Sequence, residues 1–153
     1  VAALLPLTEK YQQPQVQESL QYILGLSLKR DLENEEARRG IQAVPSAGPG
    51  RKAMTILNFY ESVGALVAAG VLDLELILRY FILPSDIWEL ARDYVALSRR
   101  SRGPDVFENL EALVAMEQRY AARHGTSLYP RNLPRLQVHD AYAAADAAWA
   151  KGS

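Results

Sequence analysis

The most apolar run of the sequence contains a single acidic residue, Glu61. The run reads NFYESVGALVAAG over residues 58–70. Asn58 lies three residues before Glu61, so the two side chains share a face if the run is a helix, and Tyr60 adds a hydroxyl beside them. A carboxylate, an amide and a phenol within an apolar surface are suited to binding a small ligand. Asn58, Tyr60 and Glu61 are therefore the candidate ligand site.

The same carboxylate also has a structural interpretation, which we favour. A buried carboxylate without a partner is costly and tends to take up a proton instead. An arginine from another helix removes that cost, and a buried pair fixes the alignment of two helices more than it adds stability. We therefore expect Glu61 either to belong to the single polar stripe of its helix or to pair with an arginine of another helix. The candidates are Arg38, Arg79, Arg92 and Arg99.

Metal and covalent chemistry find little support in the residue types. The chain has no cysteine, and its two histidines, His124 and His139, have no carboxylate at ligand spacing. No serine lies in the glycine-flanked motif of a hydrolase. Acidic pairs such as Glu108 and Glu111 fall at predicted helix starts, where acids stabilise the helix dipole. We expect no enzymatic activity, no metal and no cofactor.

A cluster of arginines near residue 100 forms the candidate surface patch. Arg99, Arg100 and Arg102 lie at a predicted helix end, where the helix dipole favours cations. Nucleic-acid binders usually have a basic domain, whereas this chain has 17 basic and 18 acidic residues and a formal net charge of -1. A solvated face explains the patch best. Weak nucleic-acid binding through it is kept as an alternative.

Helical periodicity runs through the chain, and strand signals are almost absent, so the predicted fold class is all-α. We expect a compact bundle of about five to seven helices around a central apolar helix over residues 51–69. Gly70 and Asp73 mark the end of that helix and the start of the next. The periodicity predicts helices over residues 14–32, 33–44, 51–69, 74–82, 85–100, 104–124 and 140–150.

Three segments follow from this pattern. Residues 1–13 are expected to form a loosely packed N-terminal tail, and residues 14–125 the helical domain. Residues 126–153 combine a proline-containing loop with an alanine-rich helix, whose large anchors are Tyr142 and Trp149. This last helix is expected to pack on the domain, on a second copy of the chain, or on neither.

The third and fourth predicted helices carry a pattern that resembles a known family. LNFYESVGALVAAGVLDLELILRYF has Asn, two aromatic residues, Glu, an aliphatic residue and Gly, then an apolar run to a second Gly and a short helix opened by Asp. With EEARRGIQAV before it and DIWELARDYVALSRR after it, the pattern resembles a bacterial domain-of-unknown-function family, over roughly residues 33–100. The resemblance implies a compact helical domain, often following a single N-terminal membrane span, and no known activity.

The leading functional interpretation is a non-enzymatic interaction or scaffold module that binds another protein or itself. A small-ligand-binding regulatory domain, with a pocket near Asn58 and Glu61, is the first alternative, and nucleic-acid binding through the arginine face is the second. We expect a cytoplasmic location. Attachment to a membrane through a segment before Val1 is a variant suggested by the apolar start VAALLPL.

Overall fold

The computed structural model describes residues 3–152, and every regular element in that range is an α-helix. The predicted all-α class is confirmed, although the nine helices within residues 3–152 exceed the expected five to seven. They are α1 Leu4–Tyr11, α2 Pro14–Leu24, α3 Ser27–Glu33, α4 Glu35–Ala43, α5 Pro49–Ala68, α6 Leu74–Tyr80, α7 Pro84–Arg102, α8 Glu108–His124 and α9 Ala143–Gly152.

One additional helix, α1, lies where the sequence suggests a loosely packed tail. Its Leu7 and Tyr11 are buried, and the Tyr11 ring lies 5.4 Å from that of Phe59 and 4.9 Å from that of Phe81 between centroids. Aromatic contacts of this kind hold a short helix on the domain. The structure therefore corrects the expectation for residues 4–11, while Val1 and Ala2 lie outside the described residues.

The other additional helix results from a break within the predicted helix 14–32. α2 ends before Gly25, and Leu26 has a left-handed backbone with φ of 64°. A Cβ at Gly25 would lie 2.9 Å from the Gln21 carbonyl oxygen, so the tight turn depends on glycine. The break redirects the chain so that Ile23 before it and Leu28 after it are both buried.

Helix α5 occupies the centre of the bundle, as the sequence predicts. It packs on α2 and α8 over most of its length, and on α3, α4 and α7. Full burial of each large apolar side chain contributes roughly 1.5–3 kcal/mol, so α5 carries much of the hydrophobic stabilisation. Its fully buried residues include Ile56, Leu57, Phe59, Tyr60 and Val63.

Helix α5 closely approaches the start of α8 at Gly64. A Cβ added there would lie 2.2 Å from the Asn109 carbonyl oxygen at the start of α8. Glycine therefore allows the two helices to touch through their backbones. This contact brings the first turn of α8 within reach of Glu61, one helical turn before Gly64.

The C-terminal part of the chain is the most exposed. Residues 126–142 contain no helix among the described residues, and α9 has no buried residue. No helix within residues 3–152 has the length and apolar character needed to cross a membrane.

Candidate functional site

Glu61 binds the first turn of α8. Its Oε1 accepts hydrogen bonds from the Asn109 backbone nitrogen at 3.2 Å and side-chain Nδ2 at 3.1 Å, and its Oε2 accepts one from the Leu110 nitrogen at 2.7 Å. Asn109 and Leu110 are the second and third residues of α8, whose N–H groups have no acceptor within their own helix. Glu61 thus caps α8 from a different helix.

The predicted pairing of Glu61 with an arginine is wrong. The four candidate arginines have other acceptors: Arg38 the Leu32 carbonyl, Arg79 Glu75, Arg92 Glu89, and Arg99 both Glu111 and the Val106 carbonyl. The helix start itself supplies the positive potential and the donors that a guanidinium would have provided. The half-buried Glu61 carboxylate of α5 therefore needs no cation.

Helix α8 depends on this external cap because its own sequence lacks one. The N-cap residue is Phe107, which has no side-chain oxygen and a left-handed backbone with φ of 58°. Its ring is buried, with 5% of the residue exposed, and this packing offsets the cost of an unusual conformation for a bulky residue. The local sequence therefore gives α8 no N-terminal hydrogen-bond acceptor. The acceptor comes from Glu61, which packing brings to the helix start.

A second carboxylate plays the same role at the start of α7, and sequence reasoning missed it. Glu117 of α8 is only 9% exposed. Its Oε1 accepts a hydrogen bond from the Ser85 backbone nitrogen at 2.9 Å, and Ser85 Oγ donates to its Oε2. The N-cap of α7 is Leu83, which has no acceptor of its own. The available signal was an acid on the apolar stripe of α8.

The three residues of the predicted ligand site do not converge on one pocket. Asn58 is exposed, whereas Tyr60 is fully buried and its hydroxyl donates to the Ile82 carbonyl oxygen at 2.6 Å. Burial, with Tyr11 as a smaller cause, raises the pKa of Tyr60 well above its ordinary value, so the phenol stays neutral. The Glu61 carboxylate is occupied by α8.

Two surface clefts lie elsewhere in the fold. One, of about 630 Å³, is formed by α3, α4 and α7, and the other, of about 560 Å³, by α2 and the start of α5. Asn58, Tyr60 and Glu61 line neither of them. The geometry therefore does not favour the ligand-binding alternative at the residues that the sequence pointed to.

The arginine patch does not consist of three equivalent surface cations. Arg99 is 26% exposed in its side chain, donates to the Val106 carbonyl at 2.9 Å and to Glu111 at 3.0 Å, and lies 5.9 Å from the Trp88 ring centroid. It ties α7 to the chain entering α8. Arg100 and Arg102 are exposed, so only these two remain as surface charges.

The histidines occupy separate environments. The His124 ring lies 4.5 Å from that of Tyr120, and His139 is exposed on the C-terminal segment. Among residues 3–152, no group of three or more histidine or acidic residues has the arrangement to hold a metal ion.

These observations define an all-α domain in which the long helices α7 and α8 are each capped by a carboxylate from another helix. Residues 1–116 match the model of one protein family, the Domain of unknown function (DUF4760), and the chain belongs to that family. The predicted resemblance to a domain of unknown function is confirmed, and the match extends beyond residues 33–100. Comparison with curated proteins and with solved structures gave no match. The C-terminal half of α8 and all of α9 lie beyond the matched residues.

Proposed function

We propose that the protein is a non-enzymatic interaction module that binds a second copy of itself through its C-terminal segment, residues 126–152. The observation that carries the proposal is the exposure of large apolar side chains along this segment. Leu136 is 84% exposed, Val138 89%, Tyr142 73% and Trp149 78%. Apolar surface concentrated in one segment is typical of a surface that binds a partner.

The length of α9 supports the same proposal. It has ten residues and buries none of them. An isolated helix shorter than about 12–15 residues is marginal in water even when it is rich in alanine. Contact with another surface would stabilise α9, and the aromatic residues Tyr142 and Trp149 are of the type that contributes most at protein interfaces.

The non-enzymatic part of the proposal is supported by the roles of the buried and half-buried polar groups. The carboxylates of Glu61 and Glu117 cap helices, and the Tyr60 hydroxyl donates a hydrogen bond to a backbone carbonyl. Buried Ser19 donates to the Ala53 carbonyl and accepts from the Ile56 nitrogen. These groups organise the bundle, and each is engaged by backbone groups of the protein itself.

Nucleic-acid binding has weaker support. Arg99 is engaged inside the protein, which leaves Arg100 and Arg102 of the predicted patch facing solvent. Two exposed cations on a chain with net charge -1 give a small electrostatic contribution to phosphate binding.

Light scattering coupled to gel filtration tests the proposal. The full chain should form a dimer whose fraction rises with concentration, and a chain ending at Leu136 should be monomeric. At concentrations where both chains are monomeric, the truncated chain should keep the free energy of unfolding of the full chain, because none of residues 137–152 is buried in the single chain. A monomeric full chain at every concentration, or a dimer that persists after truncation, would contradict the proposal.

Two exposed tyrosines provide a matched comparison for the same experiment. Tyr142 lies in the C-terminal segment, whereas Tyr80, 59% exposed, lies at the end of α6. Tyr142→Ala should weaken dimerisation, and Tyr80→Ala should leave it unchanged. Equal effects of the two substitutions would indicate non-specific association of exposed apolar surfaces instead of a defined interface.

A further inference from the structure

The cleft between α3, α4 and α7 has the chemistry of a docking groove for a short peptide segment. Its volume of about 630 Å³ lies in the range of specific binding sites. Leu32, Leu90 and Leu97 give it an apolar surface, and charged side chains of both signs stand around them. Within the described part of the chain, the cations Lys29 and Arg100 of this cleft form no ion pair.

The C-terminal helix carries a face with complementary chemistry. Tyr142, the residue before α9, and Ala145, Asp146 and Trp149 within it follow the spacing i, i+3, i+4 and i+7, which is typical of one side of a helix. This face is apolar apart from one carboxylate. The cleft offers this face three leucines and the cations Lys29 and Arg100, which complement the Asp146 carboxylate, beside the acids that also line it.

The cleft and the start of α8 lie on different sides of α7. Successive residues of a helix point roughly 100° apart, and α7 directs Arg99 towards the start of α8 but Arg100 into the cleft. The other end of α8 lies near the start of α7, because Glu117 binds Ser85. The chain that leaves His124 therefore begins about one helix length, about 25 Å, from Arg100.

The segment after α8 has little free length to cover that distance. The Arg131 guanidinium donates to the His124 carbonyl at 3.1 Å, and the Tyr129 hydroxyl donates to the Pro134 carbonyl at 2.8 Å. These bonds hold residues up to 134 at the end of α8. The remaining residues 135–142 span at most about 28 Å when fully extended, which barely exceeds the straight distance of about 25 Å to Arg100.

From these observations we infer that α9 of one copy docks in the cleft between α3, α4 and α7 of a second copy. Tyr142 and Trp149 pack against the leucines of the cleft, and Asp146 faces Arg100. The inference rests on the proposed self-association and adds the surface that receives the helix. Reciprocal exchange of two α9 helices would give a closed dimer with two-fold symmetry.

Disulfide trapping tests the docking directly, because the chain contains no cysteine and each variant then carries one thiol. Ala96 lines the cleft and Ala145 lies on the docking face of α9. Under mild oxidation, a mixture of full-length Ala96→Cys and Ala145→Cys chains should give a cross-linked heterodimer at least tenfold more abundant than the control mixture. The control pairs Ala145→Cys with Ala65→Cys, an exposed position on α5.

A charge exchange tests the contact between Asp146 and Arg100. Arg100→Glu should raise the dimer dissociation constant about tenfold, as expected for one close charge pair at an interface. Adding Asp146→Lys should restore most of the affinity. Arg102→Glu is the matched control, since Arg102 is an exposed arginine of the same helix that does not line the cleft.

The possible outcomes separate this inference from the proposed function. A dimer by mass without the 96–145 cross-link overturns the docking surface and leaves the self-association standing. The double variant Ala96→Cys/Ala145→Cys tests binding within one chain. If the cross-link forms only within this variant and not between chains, each cleft binds the α9 of the same chain, and the inference is overturned. A monomer at every concentration contradicts the proposed function and the inference together.

Discussion

The Glu61 carboxylate lies 2.7 Å from the backbone nitrogen of Leu110, 49 residues later in the chain. With Asn109 as the second donor, it does for α8 what an N-cap serine or aspartate does within a single helix. The acid that looks out of place in an apolar helix is therefore the anchor between α5 and α8.

Replacing Glu61 should lower the free energy of unfolding by about as much as the loss of an N-cap side chain does. Glu61→Ala leaves two helix-start N–H groups without their acceptor, and we expect a loss of about 2 kcal/mol in the free energy of unfolding. Glu61→Gln keeps an acceptor oxygen and should lose less. The exposed neighbour Asn58 serves as the control, with Asn58→Ala within about 0.5 kcal/mol of wild type. Urea unfolding measures all three, and equal losses for the Glu61→Ala and Asn58→Ala variants would contradict the capping role.

Gly64 should be intolerant of even one added methyl group. Gly64→Ala places a carbon 2.2 Å from the Asn109 carbonyl oxygen, so α5 and α8 must move apart. We expect a loss of about 2 to 3 kcal/mol. Gly40→Ala in α4 is the opposite case, because no heavy atom lies within 4 Å of the new Cβ and alanine favours a helix by about 1 kcal/mol. Thermal unfolding should therefore shift in opposite directions, and a neutral Gly64→Ala would show that the helices adjust freely.

Removal of the Glu117 carboxylate should cost more than removal of a surface ion pair. Glu117→Ala leaves the Ser85 nitrogen and hydroxyl without their acceptor in a nearly closed site, with an expected loss of about 2 to 3 kcal/mol. Glu89→Ala breaks an exposed pair with Arg92 and should cost at most about 0.5 kcal/mol. Denaturant unfolding measures both losses, from the shift of the midpoint when the dependence of unfolding free energy on denaturant concentration is unchanged. Similar values for the two variants would argue against a buried cap at α7.

Stability should fall at alkaline pH because of Tyr60. Burial raises the pKa of Tyr60, so the folded protein keeps the phenol proton at a pH where the unfolded chain, with a pKa of about 10, releases it. The contribution is complete below about pH 10 and is lost as the pH rises above it, by up to about 1.4 kcal/mol per pH unit. Tyr60→Phe removes this titration and should flatten the decline, despite losing the bond to Ile82.

Tyr129→Phe is the control for the alkaline experiment, since Tyr129 is an exposed residue on the C-terminal segment. Its variant should follow the wild-type curve of unfolding free energy against pH. If Tyr60→Phe also follows that curve, the buried phenol is not the source of alkaline instability.

Local signals predicted the parts of the fold that depend on neighbouring residues. Asp73 caps α6 by accepting from the Glu75 nitrogen at 2.8 Å, and Gly70 ends the preceding helix with φ of 77°. The central position of α5 followed from its apolar circumference. Such features need only a few adjacent residues, so a single sequence contains them.

The site could not be predicted in the same way, because its partners are distant in the chain. The N-cap residues of α7 and α8, Leu83 and Phe107, have no capping oxygen. The sequence around them does not indicate that Glu117 and Glu61 provide the caps. The predicted start of the sixth helix at Pro104 was four residues early, since the helix begins at Glu108, just before the Asn109 and Leu110 nitrogens that Glu61 binds. Asn58 was placed with Glu61 by spacing alone, but it faces solvent.

The two external caps also bear on how the chain folds. Glu61 secures the first turn of α8, and Glu117, carried by α8, secures the first turn of α7. Neither helix can complete its own start from local residues, so each gains its last hydrogen bonds only when the bundle assembles. Opening the contact between α5 and α8 would loosen α7 in turn, which joins three helices into one cooperative unfolding unit.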